Sequence, residues 1–155
     1  MRYAHTNVIA RDWQRLVRFY TEVFDCRPHG PERDQSGEWL ERATGVSDAH
    51  LRGRHLLLPG HGDSGPTLEI YGYDNNELPD SLPVANRVGF GHIAFEVDDV
   101  DSVLDAVLDH GGQRLGEDVE SHVPGVGTIR ITYARDPEGN ILELQSWQLD
   151  EDPPA

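Results

Sequence analysis

The 155-residue sequence contains no lysine: all 13 basic side chains are arginine, against 28 aspartates and glutamates, for a formal charge of −15. So acidic a chain repels phosphate backbones, which argues against nucleic acid and anionic membrane surfaces as partners. Cysteine occurs once, at Cys26, and one thiol builds neither a disulfide framework nor a cysteine zinc knuckle. No apolar run approaches the roughly 18 residues of a membrane span, and the first residues lack the apolar core of a secretion signal. These absences predict a soluble, cytoplasmic protein. The length suits one domain that buries roughly two-thirds of its unfolded surface without staples.

What is present is a repeat. His5 and Asp12 lie 87 positions before His92 and Asp99. The apolar set Trp13, Leu16, Val17, Tyr20 matches Val100, Val103, Leu104, Val107 at the same offset. Each set is a stripe at i, i+3, i+4, i+7, the mark of an amphipathic helix. Both halves then share one order. A short strand (about 2–9, then 90–97) ends at an aspartate suited to cap a helix over 13–24 or 100–110. Strand-like runs follow at 51–58 and 67–73 in the first half, and at 128–134 and 140–147 in the second. Their joints, 59–66 and Asp136-Pro137-Glu138-Gly139, carry hairpin chemistry. The expectation is an α+β fold of two β-α-β-β-(β) modules, 1–78 and 88–148, with a linker at 79–87 and an acidic tail at 149–155. Helices cover one face of each sheet, and the opposite faces curve around a cleft.

Alternation along the strands decides what faces that cleft. Ile93, Phe95 and Val97 form one face of their strand, and His92, Ala94 and Glu96 the other. Glu69 opposes Leu68 and Ile70, and Glu143 opposes Leu142 and Leu144. Each half thus places one histidine on its first strand and one glutamate on its last, away from the core. Taken singly, such a glutamate reads as a solvated side chain and such a histidine as a structural one. Two pairs at equivalent places read instead as a shared task. His5, Glu69, His92 and Glu143 make a divalent-metal set, because neutral imidazole suits Zn, Ni, Co or Fe and carboxylates compensate the dication. His29, His50, His55, His61, His110 and His122 have no partners in register and are assigned surface or loop roles. Asn7 and Glu96 share the ligand face by parity.

Four segments carry a family resemblance: His5-Thr6-Asn7-Val8 with Arg18-Phe19-Tyr20; Leu68-Glu69-Ile70-Tyr71; Gly91-His92-Ile93-Ala94-Phe95-Glu96-Val97-Asp98-Asp99; and Asp136-Pro137-Glu138-Gly139-Asn140-Ile141-Leu142-Glu143-Leu144. They resemble the vicinal oxygen chelate superfamily, which includes glyoxalase I, methylmalonyl-CoA epimerase, extradiol dioxygenases and bleomycin- and fosfomycin-resistance proteins. The likeness covers roughly residues 2–148. It implies paired βαβββ modules, one divalent metal per site (Zn, Ni, Co, Mn or Fe) on His5, Glu69, His92 and Glu143, and a homodimer or a cleft closed within one chain. The His-Glu-His-Glu set resembles glyoxalase I and so implies a lyase or isomerase acting on a small carbonyl or thioester substrate. In that chemistry an ion chelates two vicinal oxygens, stabilises an enediolate, and a carboxylate moves the α-proton. Glu143 and Glu69 are the candidate bases, with Glu143 preferred. Arg15, Arg52 and Arg54 are the candidates for an anionic thioester. The alternatives are an Fe(II) extradiol-type dioxygenase, a fosfomycin-type transferase and a non-catalytic antibiotic-binding protein.

Overall fold

The computed structural model describes residues 1–150. The chain divides into two compact units, Met1–Asp80 and a second beginning at Ser81. In the first, β1 (His5–Ile9), α1 (Trp13–Phe24), β2 (Arg27–Ser36), α2 (Glu38–Thr44), β3 (His50–Leu57) and β4 (Thr67–Tyr73) form a sheet ordered β1-β4-β3-β2. In the second, β5 (Ile93–Glu96), α3 (Val100–Asp109), β6 (Gln113–Val123), β7 (Gly127–Arg135) and β8 (Ile141–Leu149) form a sheet ordered β5-β8-β7-β6. In each sheet the first and last strands pair parallel and the rest antiparallel. The α+β architecture of paired βαβββ modules is as expected from the sequence. The strand β8 runs to Leu149, and the last five residues of the expected tail lie outside the described residues. No helix among the described residues is long and apolar enough to cross a membrane.

The helices α1 and α3 begin where aspartates satisfy free backbone donors. Asp12 accepts from the Arg15 N–H at 2.9 Å, and Asp99 accepts from the Asp101 and Ser102 N–H groups at 3.0 and 3.2 Å. On α1, Leu16, Phe19, Tyr20 and Phe24 are buried, as are Leu56, Leu68 and Ile70 on the strands beneath. On α3, Val100, Leu104 and Val107 are buried, as are Leu142 and Leu144. Burying each such side chain contributes about 1.5–3 kcal/mol. At the turn after β7, Asp136 Oδ1 accepts from the Glu138 and Asn140 N–H groups at 2.9 and 3.0 Å, which sets the entry of β8.

Three elements have weak sequence signals. The strands β2 and β6 are sheet edges, where proline and charge are tolerated. Both bend at the same place: two extra residues separate the pairs His29↔His55 and Arg33↔Gly53, and again Leu115↔Tyr133 and Val119↔Ile131. Gly30 (φ 68°) and Gly116 (φ 83°) supply the left-handed residue at each bend. The short α2 buries only Leu40, against Ala49, Leu51 and Tyr71.

His50 is partly exposed, in keeping with the surface role assigned above, and meets two exposed carboxylates there. It opens β3, and its ring bridges two carboxylates, with Nε2 2.7 Å from Asp34 and Nδ1 2.7 Å from Asp74. Hydrogen bonds to Asp34 and Asp74 raise its pKa above 6.5, and those from Arg52 and His50 hold Asp74 below 3.8. The His50 contribution to stability is therefore complete below pH 6.5 and lost as pH rises through the raised value. The Asp74 contribution is complete above pH 3.8 and lost as pH falls through its depressed value. Thermal melts at about pH 5 and about pH 9 should show wild type more stable than His50→Gln at the lower pH and the gap closing at the higher.

Candidate metal centre

In the first module the parallel pairing of β1 with β4 sets Asn7 opposite Glu69, with His5 two residues earlier on the same face. His5 Nε2 lies 3.2 Å from Glu69 Oε2. The Asn7 amide donates to that same oxygen at 3.4 Å. In the second module β5 pairs with β8, so Ala94 opposes Glu143. His92, just ahead of β5, places its Nε2 3.1 Å from Glu143 Oε2. The Tyr133 hydroxyl donates to Oε2 at 2.5 Å. The same nitrogen meets the same oxygen in both modules.

Both carboxylates are deeply set, with side-chain exposures of 13% for Glu69 and 12% for Glu143. A buried carboxylate needs compensating charge. The partners around Glu143 are an imidazole and a phenol, and those around Glu69 are two imidazoles, an amide and a phenol. A divalent cation held by neutral imidazole and carboxylate matches this donor set. Two ligands about 2.1 Å from one ion lie about 3.0–3.4 Å apart for octahedral to tetrahedral angles, a range that includes the 3.2 and 3.1 Å nitrogen–oxygen separations. Each module supplies a pair of such donors; among the described residues no group of three or more His, Cys, Asp or Glu side chains has metal-holding geometry.

His55 was assigned a surface or loop role, and the structure corrects this. It lies on β3 directly opposite Glu69, with its Nε2 2.9 Å from Glu69 Oε1 and 3.0 Å from the Tyr71 hydroxyl. Its Nδ1 sits 3.1 Å from Thr67 Oγ1. Burial lowers its pKa, Glu69 opposes that, and Arg33, His5 and His29 add to the lowering. Tyr71 also donates to Glu69 Oε1 at 3.4 Å. Burial and the Glu69 charge push the Tyr71 phenol up to about 12, and the hydrogen bond to Glu143, with burial, does the same for Tyr133. Glu69 is thus held on both oxygens, and Glu143 on one. Alternation along β3 and β7 marks His55 and Tyr133 as ligand-face residues, but only the strand register shows that each opposes a glutamate.

Glyoxalase/Bleomycin resistance protein/Dioxygenase superfamily is the family whose model matches residues 2–144. The chain belongs to this superfamily. Within it, the chain is 41% identical over 143 residues to a probable lactoylglutathione lyase of Synechocystis, covering 90% of this chain and 91% of that one. It is 30% identical over 146 residues to a probable lactoylglutathione lyase of Vibrio parahaemolyticus, covering 92% and 88%. A glyoxalase family protein from Bacillus cereus shares the fold at a TM-score of 0.80 and 20% identity, covering 95% of this chain and 94% of that one. A superfamily neighbour at a TM-score of 0.56 and 18% identity, covering 96% and 93%, is a fosfomycin resistance protein of Listeria monocytogenes solved with Mn(II) and sulfate. The lyase relatives support a glyoxalase-type function for this member.

Gly53 has a packing reason to be glycine. A Cβ there would collide with the Ile70 carbonyl oxygen and the Tyr71 ring, and would lie 2.8 Å from Tyr71 Cα. Gly53→Ala should destabilise the protein by about 1–3 kcal/mol, read as a lower urea midpoint.

Proposed function

We propose that this chain is a metal-dependent lyase or isomerase of the glyoxalase I type, acting on a small carbonyl or thioester substrate with vicinal oxygens. Modules 1–78 and 88–148, joined by the linker 79–87, work as one domain in this reading. The observation that carries it is the duplicated contact of histidine Nε2 with glutamate Oε2, at 3.2 and 3.1 Å. Relatives named as lactoylglutathione lyases over about nine-tenths of the chain favour this reading over ring cleavage or drug sequestration.

His5, Glu69, His92 and Glu143 would hold the ion. When bound, a divalent cation polarises a substrate carbonyl and stabilises the negative charge that develops on adjacent oxygens. The chain's own residues divide the remaining work. Asn7, His55 and Tyr71 fix the orientation of Glu69 through both of its oxygens. Tyr133 and His92 engage Glu143 only through Oε2. That leaves Oε1 of Glu143 to take the α-proton and return it, while Glu69 stays in place as the second carboxylate.

Elemental analysis of the purified protein should find a stoichiometric divalent metal that is lost in His92→Ala and in Glu143→Ala. With lactoylglutathione in deuterated water, wild type should exchange the α-proton, and Glu143→Ala should slow exchange by about 10²–10⁴-fold. A metal-free native protein, or metal retained in both variants, overturns the proposal.

A further inference from the structure

The two modules share a scaffold but present unlike ligand faces. Strand register makes the comparison residue by residue. In the first sheet one row crosses all four strands as Asn7, Glu69, His55, His29, and the next crosses as Ile9, Tyr71, Gly53, Arg33. In the second sheet the corresponding rows read Ala94, Glu143, Tyr133, Leu115 and then Glu96, Gln145, Ile131, Val119. Where the second module has Leu115, Ile131 and Val119, the first has His29, Gly53 and Arg33. At the outer two strands the second face carries aliphatic side chains where the first carries an imidazole and a guanidinium.

Arg33 stands out within that face. It is half-buried, and among the described residues it forms no ion pair with a carboxylate, in a chain with 28 of them. Arg52 and Arg54, candidates from the sequence alone, are committed to Asp74 and Glu32. The Arg33 charge acts instead on the Tyr71 phenol, where it opposes burial and Glu69. It lies across Gly53 from Tyr71, and the missing side chain at Gly53 makes room for the Tyr71 ring. Tyr71 in turn reaches Glu69 and His55. A guanidinium with no carboxylate partner among the described residues, one side chain away from Glu69, has the chemistry to receive an oxyanion.

We infer that Arg33, with Tyr71 and His29 around it, is the subsite that docks an anionic group of the substrate, a carboxylate or a phosphoryl oxyanion, beside Glu69. The inference rests on the proposed lyase reading only in taking the ligand face as the substrate face.

Isothermal titration of the full-length protein with glutathione and, separately, with inorganic phosphate tests this. Loss of one charge-assisted contact should weaken the better-bound probe by about tenfold or more in Arg33→Gln. Arg33→Lys, which keeps the charge, should recover part of that loss and controls for misfolding. Stronger binding of glutathione assigns a carboxylate, and stronger binding of phosphate assigns a phosphoryl group; either supports the subsite. The same titrations of His92→Ala, which should lose metal, separate a probe held by the ion from one held by Arg33. Affinity unchanged in Arg33→Gln, or lost in His92→Ala and kept in Arg33→Gln, overturns the inference. Because probe binding is read without turnover, the lyase reading and the subsite fail separately.

Discussion

A carboxylate with little access to water is stable only beside something that answers its charge, and this molecule contains two such groups in equivalent places. Glu69 and Glu143 each sit on the last strand of a module, facing away from the helix-covered core, with a histidine on or just ahead of the neighbouring parallel strand against one oxygen. The core residues on either side, Leu68 and Ile70 or Leu142 and Leu144, fix which way each glutamate points. A one-residue slip of either strand would exchange the two faces and bury the charge among aliphatic side chains.

The two modules share one frame and differ in the residues that meet the glutamate. Both edge strands bend at equivalent glycines, and both modules keep the parallel pairing that sets histidine beside glutamate. The residue opposite the glutamate differs: His55 in one module and Tyr133 in the other. That change ties Glu69 down through both oxygens and leaves Glu143 with a single engaged oxygen. Two carboxylates of one type thereby differ in how firmly the protein holds them.

Much was legible in the sequence because it depends on local periodicity. The stripes on α1 and α3, the capping aspartates Asp12 and Asp99, and the alternation around Glu69, His92 and Glu143 are properties of neighbouring residues. The edge strands were less legible. Arg27–Ser36 and Gln113–Val123 are polar, interrupted by glycine, and paired along one side only. Seven-residue α2 has a single buried side chain, too little for a stripe.

The sequence alone determined the two-module α+β plan and the candidacy of His5, Glu69, His92 and Glu143, since side-chain parity along a strand needs no knowledge of its neighbours. Only tertiary structure decided who stands opposite whom. The pairing of His55 with Glu69, of Tyr133 with Glu143, and of Arg33 with Gly53 depends on strand register, which loops and bulges set across dozens of residues. Hydrogen-bonding partners across a sheet are neighbours in space and strangers in the chain, so no reading of local pattern could have matched them.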